Sequence, residues 1–109
     1  MNAAKLIALV GGLALGGQAL ASAKLVEEKQ CMQCHAASQP AIGPTFEQIR
    51  AQWKGKKDAE AKLVAVISRG SEATGGPHWG KAKMPNDAER PMVSDAEARK
   101  IVKWILAGK

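Results

Sequence analysis

The sequence predicts an all-α domain of about four helices. The run VSDAEARKIVKWIL at 93–106 places apolar residues at helical spacing behind a Ser-x-x-Glu box. A second box, Thr45 with Gln48 three residues on, opens another run of this kind. No convincing apolar–polar alternation of the strand type occurs, no segment repeats, and glycine and proline punctuate the helical stretches.

The N-terminus comes first. Lys5 precedes the apolar stretch Leu6 to Leu15, and small residues follow at Ala19, Ala21 and Ala23. This predicts a signal peptide over 1–23, cleaved near Ala21 or Ala23, with the domain proper at 24–109. A membrane anchor would need roughly 18 apolar residues, whereas Gln18 and several glycines interrupt this segment. No cysteine stands at the cleavage site for a lipid, and no other segment is apolar enough to span a bilayer.

Four helices follow. The first is expected from about Lys24 to Gln33, carrying a pair of cysteines at its C-terminal end. After a loop through Pro40, Gly43 and Pro44, Thr45 caps a helix with Phe46, Ile49 and Trp53 on its apolar face. Beyond the basic turn at 55–57, Asp58 is the expected cap of a third helix bearing Leu63, Val64, Val66 and Ile67, which Gly70 stops. Residues 71–93 are too rich in glycine and proline for a regular element and long for a structureless loop, which marks them as functional. Ser94 and Glu97 then box the last helix, whose stripe is Ala98, Ile101, Val102 and Ile105, with Trp104 beside it. Lys100 and Lys103 suit its dipole, and the stripe should rest on another helix, the first being the natural partner.

A single small domain has a marginal core and needs a staple. The net charge of +6 is moderate. The four aromatic residues are Phe46, Trp53, Trp79 and Trp104, and base stacking would compete with the core for them, so nucleic acid is not an expected partner. Basic charge of this size suits docking on acidic protein surfaces.

The staple is CMQCH at 31–35, which contains both cysteines of the chain. A structural zinc site needs four ligands, and beyond Cys31, Cys34 and His35 the chain offers His78 or a carboxylate without a second paired motif. A thioredoxin-like dithiol is expected between a strand and a helix, and strands are missing from the pattern. Covalent haem attachment uses all three residues. On one helical turn the two thiols reach the haem vinyl groups while His35 reaches the iron.

With CMQCH, the segments IGPTF at 42–46, HWGKAKMP at 78–85 and VSDAEARKIVKWIL at 93–106 make nearly the whole domain similar to the small bacterial class I c-type cytochromes. The resemblance implies the class I cytochrome c fold around one covalent haem c, with the N- and C-terminal helices crossing. It implies that Pro44 offers its carbonyl to His35, that Met84 is the distal ligand opposite His35, and that Trp79 gives its indole N–H to a haem propionate rather than only filling space. The chain departs from the shortest members by a longer glycine-rich loop before Trp79 and a longer segment after Met84.

Pro85 fixes the backbone beside Met84, and Asn86 is placed to hydrogen-bond the thioether. Met92, behind Pro91, and His78 are the rival sixth ligands, Met92 otherwise being a staple against the last helix. Trp53 and Trp104 are assigned to the core and Phe46 to the haem edge. Lys54, Lys56, Lys57, Lys81 and Lys83 are candidates for a docking ring, or else a solvated surface. The expected function is a monomeric periplasmic electron carrier, not an enzyme, that docks redox proteins of a respiratory or related chain without stable membrane insertion. The alternatives are a haem subunit of a periplasmic dehydrogenase or reductase complex, or a haem sensor or enzyme with a displaceable Met84.

Overall fold

The computed structural model describes residues 11–108. Its helices are α1 (Gly11–Glu28), α2 (Phe46–Trp53), α3 (Ala59–Arg69) and α4 (Asp95–Ala107), with short 3-10 turns at Cys31–Gln33 and Glu72–Thr74. Among the described residues the one β feature is an isolated bridge between Trp79 and Ala82. The all-α, four-helix expectation holds. Lys5 and the first half of the predicted apolar core, Leu6 to Val10, lie outside the described residues, and α1 passes through both candidate cleavage positions. No described helix is long and apolar enough to cross a membrane.

α4 is the centre of the fold, and α1, α2 and α3 each pack against it. Ala98, Ile101, Val102 and Ile105 are all buried, as their spacing predicts. They meet Val26 of α1, Phe46 of α2, and Val64 and Ile67 of α3 in one core. Each buried aliphatic side chain of this kind contributes about 1.5–3 kcal/mol. Polar contacts fix the ends. Lys29 joins Glu97 at 3.3 Å and donates to Met92 O at 2.8 Å. Ser68 Oγ donates to Asp95 Oδ1 at 2.9 Å, and Arg50 Nε donates to Ile105 O at 2.9 Å.

Both expected capping boxes form. Thr45 and Ser94 have extended backbones, at φ −67°, ψ 159° and φ −68°, ψ 161°, and each side chain accepts from the N–H three residues on. Asp58 corrects the third expectation. It precedes α3 as predicted, but at φ 65°, ψ 10° it makes no side-chain cap. Side-chain capping needs the extended backbone that Thr45 and Ser94 have. Its carbonyl still accepts from Lys62 N–H at 3.0 Å and so opens the helix.

The first helix also differs from expectation. It ends at Glu28 rather than near Gln33, because Gln30 turns left-handed at φ 62°, ψ 26° and redirects the chain before the cysteines. The cysteines therefore lie on their own turn beyond α1.

The α4 box and stripe predict a graded response in denaturant unfolding of the holoprotein. Ser94→Ala should cost about 1 kcal/mol and Ile101→Ala about 2–5 kcal/mol. The Ser94 backbone N–H holds the Glu97 carboxyl below its ordinary value of 4.5. That part of the cap is present above this pH and is lost as the pH falls through the lowered value. The penalty of Glu97→Gln should accordingly shrink in acid; a penalty independent of pH would show that the carboxylate does not cap.

Candidate functional site

The site begins at the turn beyond α1. His35 N–H donates to Cys31 O at 3.0 Å and Cys34 N–H approaches the same oxygen at 3.3 Å, so Cys31, Cys34 and His35 share one turn. Neither cysteine is in a disulfide, and both line an apolar cleft together with His35. Burial pushes the Cys31 thiol above its ordinary value, against the opposing charge of Arg90. Among the described residues no three His, Cys, Asp or Glu side chains gather into a group that could hold a metal ion.

His35 is held from two sides. Its Nδ1–H donates to Pro44 O at 2.6 Å. A carbonyl only accepts, so the proton is on Nδ1 and Nε2 keeps its lone pair. Burial holds the imidazole below its ordinary value, against the bond to Pro44, which raises it; the neutral form is the one that binds metals. The ring stacks on Phe46 with centroids 5.6 Å apart, and Phe46 meets Trp104 edge-on at 5.4 Å. Phe46 thus backs the histidine from within the core. Gly43 passes close by, its N–H donating to Cys34 O at 2.8 Å. A Cβ at Gly43 would stand 3.2 Å from Cys34 O and 3.3 Å from His35 Cε1.

The other wall of the cleft carries Met84, Pro85, Trp79 and His78. Met84 is clasped by its backbone: its N–H donates to Ser71 Oγ at 2.7 Å and its carbonyl accepts from Ser71 N–H at 3.0 Å. Ser71 is buried, and Gly70, at φ 84°, lets Met84 O approach to 3.0 Å from where a Cβ would be. Met92 lies elsewhere, 67% exposed, with its carbonyl on Lys29. His78 borders the cleft and hydrogen-bonds Thr74 Oγ1 through Nε2 at 3.1 Å. Trp79 stands at the rim and Trp53 also lines the cleft. Asn86 is not among the lining residues; its Oδ1 accepts from Ala88 N–H at 2.9 Å.

Two thiols, an imidazole with a free Nε2 and a thioether therefore open onto one apolar cleft, a donor set that fits an iron porphyrin. The comparisons with known proteins agree. The family described as Cytochrome c matches residues 19–109. The chain belongs to the cytochrome c family. It is 35% identical over 104 residues to cytochrome c-552 of Hydrogenobacter thermophilus, covering 95% of each chain. It is 36% identical over 97 residues to cytochrome c-551 of Pseudomonas aeruginosa, covering 89% of this chain and 86% of that one. The crystal structure of Nitrosomonas europaea cytochrome c552 superposes with a TM-score of 0.68 at 33% identity, covering 80% of this chain and 99% of the other. Cytochromes c are haem proteins of electron transport, and the cofactor of this one is a single covalently bound haem c.

Three contributors escaped the sequence reading. Ser71 supplies both bonds to the Met84 backbone, and nothing in its surroundings in the sequence signals this. Gly43 is required by the close approach to His35, which a glycine directly before Pro44 hints at. Arg90 spends its guanidinium on backbone carbonyls. Of the five lysines considered for docking, Lys83 is paired with Glu72 and Lys56 lies over the Trp53 ring at 5.3 Å.

Gly43→Ala should lower stability by about 1–3 kcal/mol through overpacking against the cysteine turn. Chemical unfolding of the haem-loaded variant measures it. A change within about 0.5 kcal/mol, the range of an ordinary surface substitution, would mean that the turn yields without cost.

Proposed function

We propose that this cytochrome c is an exported, periplasmic electron carrier, with residues 1–23 removed as a signal peptide and 24–109 forming the working domain. In this reading Cys31 and Cys34 attach the haem through thioethers, and His35 and Met84 are the axial ligands. Haem c supplies a one-electron couple, and a thioether ligand raises its potential. The chain's own residues do the rest. The bond from His35 Nδ1 to Pro44 O keeps Nε2 available and orients the ring. The apolar lining keeps water from the buried part of the cleft, while Trp79, 36% exposed, stands where the haem edge would meet a partner. Trp79 is assigned as a propionate donor and Asn86 as a neighbour of the Met84 loop. With both axial positions filled there is no vacancy for a substrate, which favours a carrier over an enzyme. The partners are redox proteins with acidic docking surfaces, met by a monomer.

One observation carries the ligand assignment. Met84 shares the cleft with Cys31, Cys34 and His35, and Met92 does not.

The optical spectrum of the ferric holoprotein tests it, since sulfur-ligated ferric haem has a weak far-red band. Met84→Ala should abolish this band and Met92→Ala should keep it. The reverse pattern would transfer the ligand to Met92, and a colourless export-competent preparation with free thiols would remove the reading altogether.

A further inference from the structure

The segment from Pro85 to the Ser94 cap holds Arg90, whose guanidinium is turned back onto the chain. Its Nε donates to Pro85 O at 3.1 Å, Nη1 to Pro91 O at 3.1 Å and Nη2 to Ile67 O. The last of these has a definite cause. In a continuing helix Ile67 O would accept from the N–H four residues on, that of Ser71. That N–H instead donates to Met84 O. The Met84 segment thus takes a donor away from the C-terminus of α3, and Arg90 returns one, bringing its positive charge to the negative end of the helix. The same planar group holds Pro85, the residue directly after Met84. A half-buried arginine is therefore committed to three carbonyls at residues 67, 85 and 91, tying the end of α3 to both ends of the segment that follows Met84.

We propose that Arg90 is a positioning residue that straps the Met84–Pro85 segment to the end of α3 and thereby sets how firmly the Met84 thioether closes the distal side of the haem. The inference rests on the reading of Met84 as an axial ligand. For Met84 to swing away, Pro85 must move with it, and the bond from Arg90 Nε to Pro85 O must break. The guanidinium presents several donors in a rigid fork, whereas a lysine offers a compact charge that cannot reproduce it. Without the fork, opening costs less, and an external ligand competes better for the iron.

The test titrates imidazole into the ferric holoprotein and follows loss of the far-red band in the parent, Arg90→Gln and Arg90→Lys, with far-UV circular dichroism and haem content measured alongside. Imidazole should bind Arg90→Gln at least about tenfold more tightly than the parent, the scale of one lost charge-assisted hydrogen bond. Arg90→Lys should fall between them, with helix content and haem loading unchanged in both. If the band of the parent is lost in Met84→Ala and Arg90→Gln binds imidazole within about twofold of the parent, the strap is wrong while the Met84 ligation stands. If the parent lacks the band, the Met84 reading fails and the strap with it. Should Arg90→Gln not accumulate with haem, Arg90→Lys decides by the same twofold criterion.

Discussion

The hydrogen bond from His35 Nδ1 to Pro44 O, 2.6 Å long inside an apolar cleft, is the constraint on which the rest of the site depends. A buried imidazole without a partner would be costly; the Pro44 carbonyl supplies one and selects the Nδ1–H tautomer of the neutral ring. To bring Pro44 within reach, the chain passes close to the ring, and a side chain larger than that of glycine at position 43 would crowd Cys34 O and His35 Cε1. The next residue, Thr45, is itself buried and extended, and so becomes the cap of α2. Phe46 then enters the first turn of that helix, stacked on the imidazole and set against Trp104 of α4. One contact at His35 is thus continuous with a helix start and with the core.

The opposite wall is held differently. No aromatic stack supports Met84; two bonds to Ser71 and the carbonyl fork of Arg90 do. The Ser71 N–H bond is backbone to backbone, and the others join a side chain, the Ser71 hydroxyl or the Arg90 guanidinium, to a backbone group. A helix C-terminus has carbonyls without partners; here Arg90 takes that of Ile67, while the Met84 backbone uses the N–H and Oγ of Ser71 just beyond the helix. Met84 is also packed, partly buried, against the hydrophobic core, so this wall joins apolar contact to polar geometry.

What could be read from the sequence was local. The two capping boxes, the α4 stripe and the cysteine–histidine cluster each span a few residues, and their geometry follows from spacing alone. What could not be read involves either backbone angles that the residue type does not announce or partners distant in sequence. Gln30 takes a left-handed conformation that glycine normally marks, so the end of α1 fell later in the expectation than in the structure. Asp58 has the composition of a cap without the backbone of one. Arg90 reaches Ile67 across 23 positions, and no motif encodes that pairing. The likeness to class I cytochromes c supplied the overall arrangement, but the segment after Met84 is where this chain departs from the shortest members, and there the structure was needed.

The contrast between the two walls bears on how such a protein handles a single electron. Under the proposed reading, a carrier works best when neither ligand moves as the iron changes charge, so both walls must resist that change. The proximal side does so through volume, because Phe46, Trp104 and the α4 stripe leave the imidazole no room. The distal side does so through hydrogen bonds whose strength depends on how dry the cleft stays. A protein of this length has little apolar surface to spare, and burying a second aromatic cluster behind Met84 would draw on the same four aromatic residues. Tying the loop to Ser71 and, through Arg90, to the Ile67 carbonyl at the end of α3 closes this side without a second aromatic cluster.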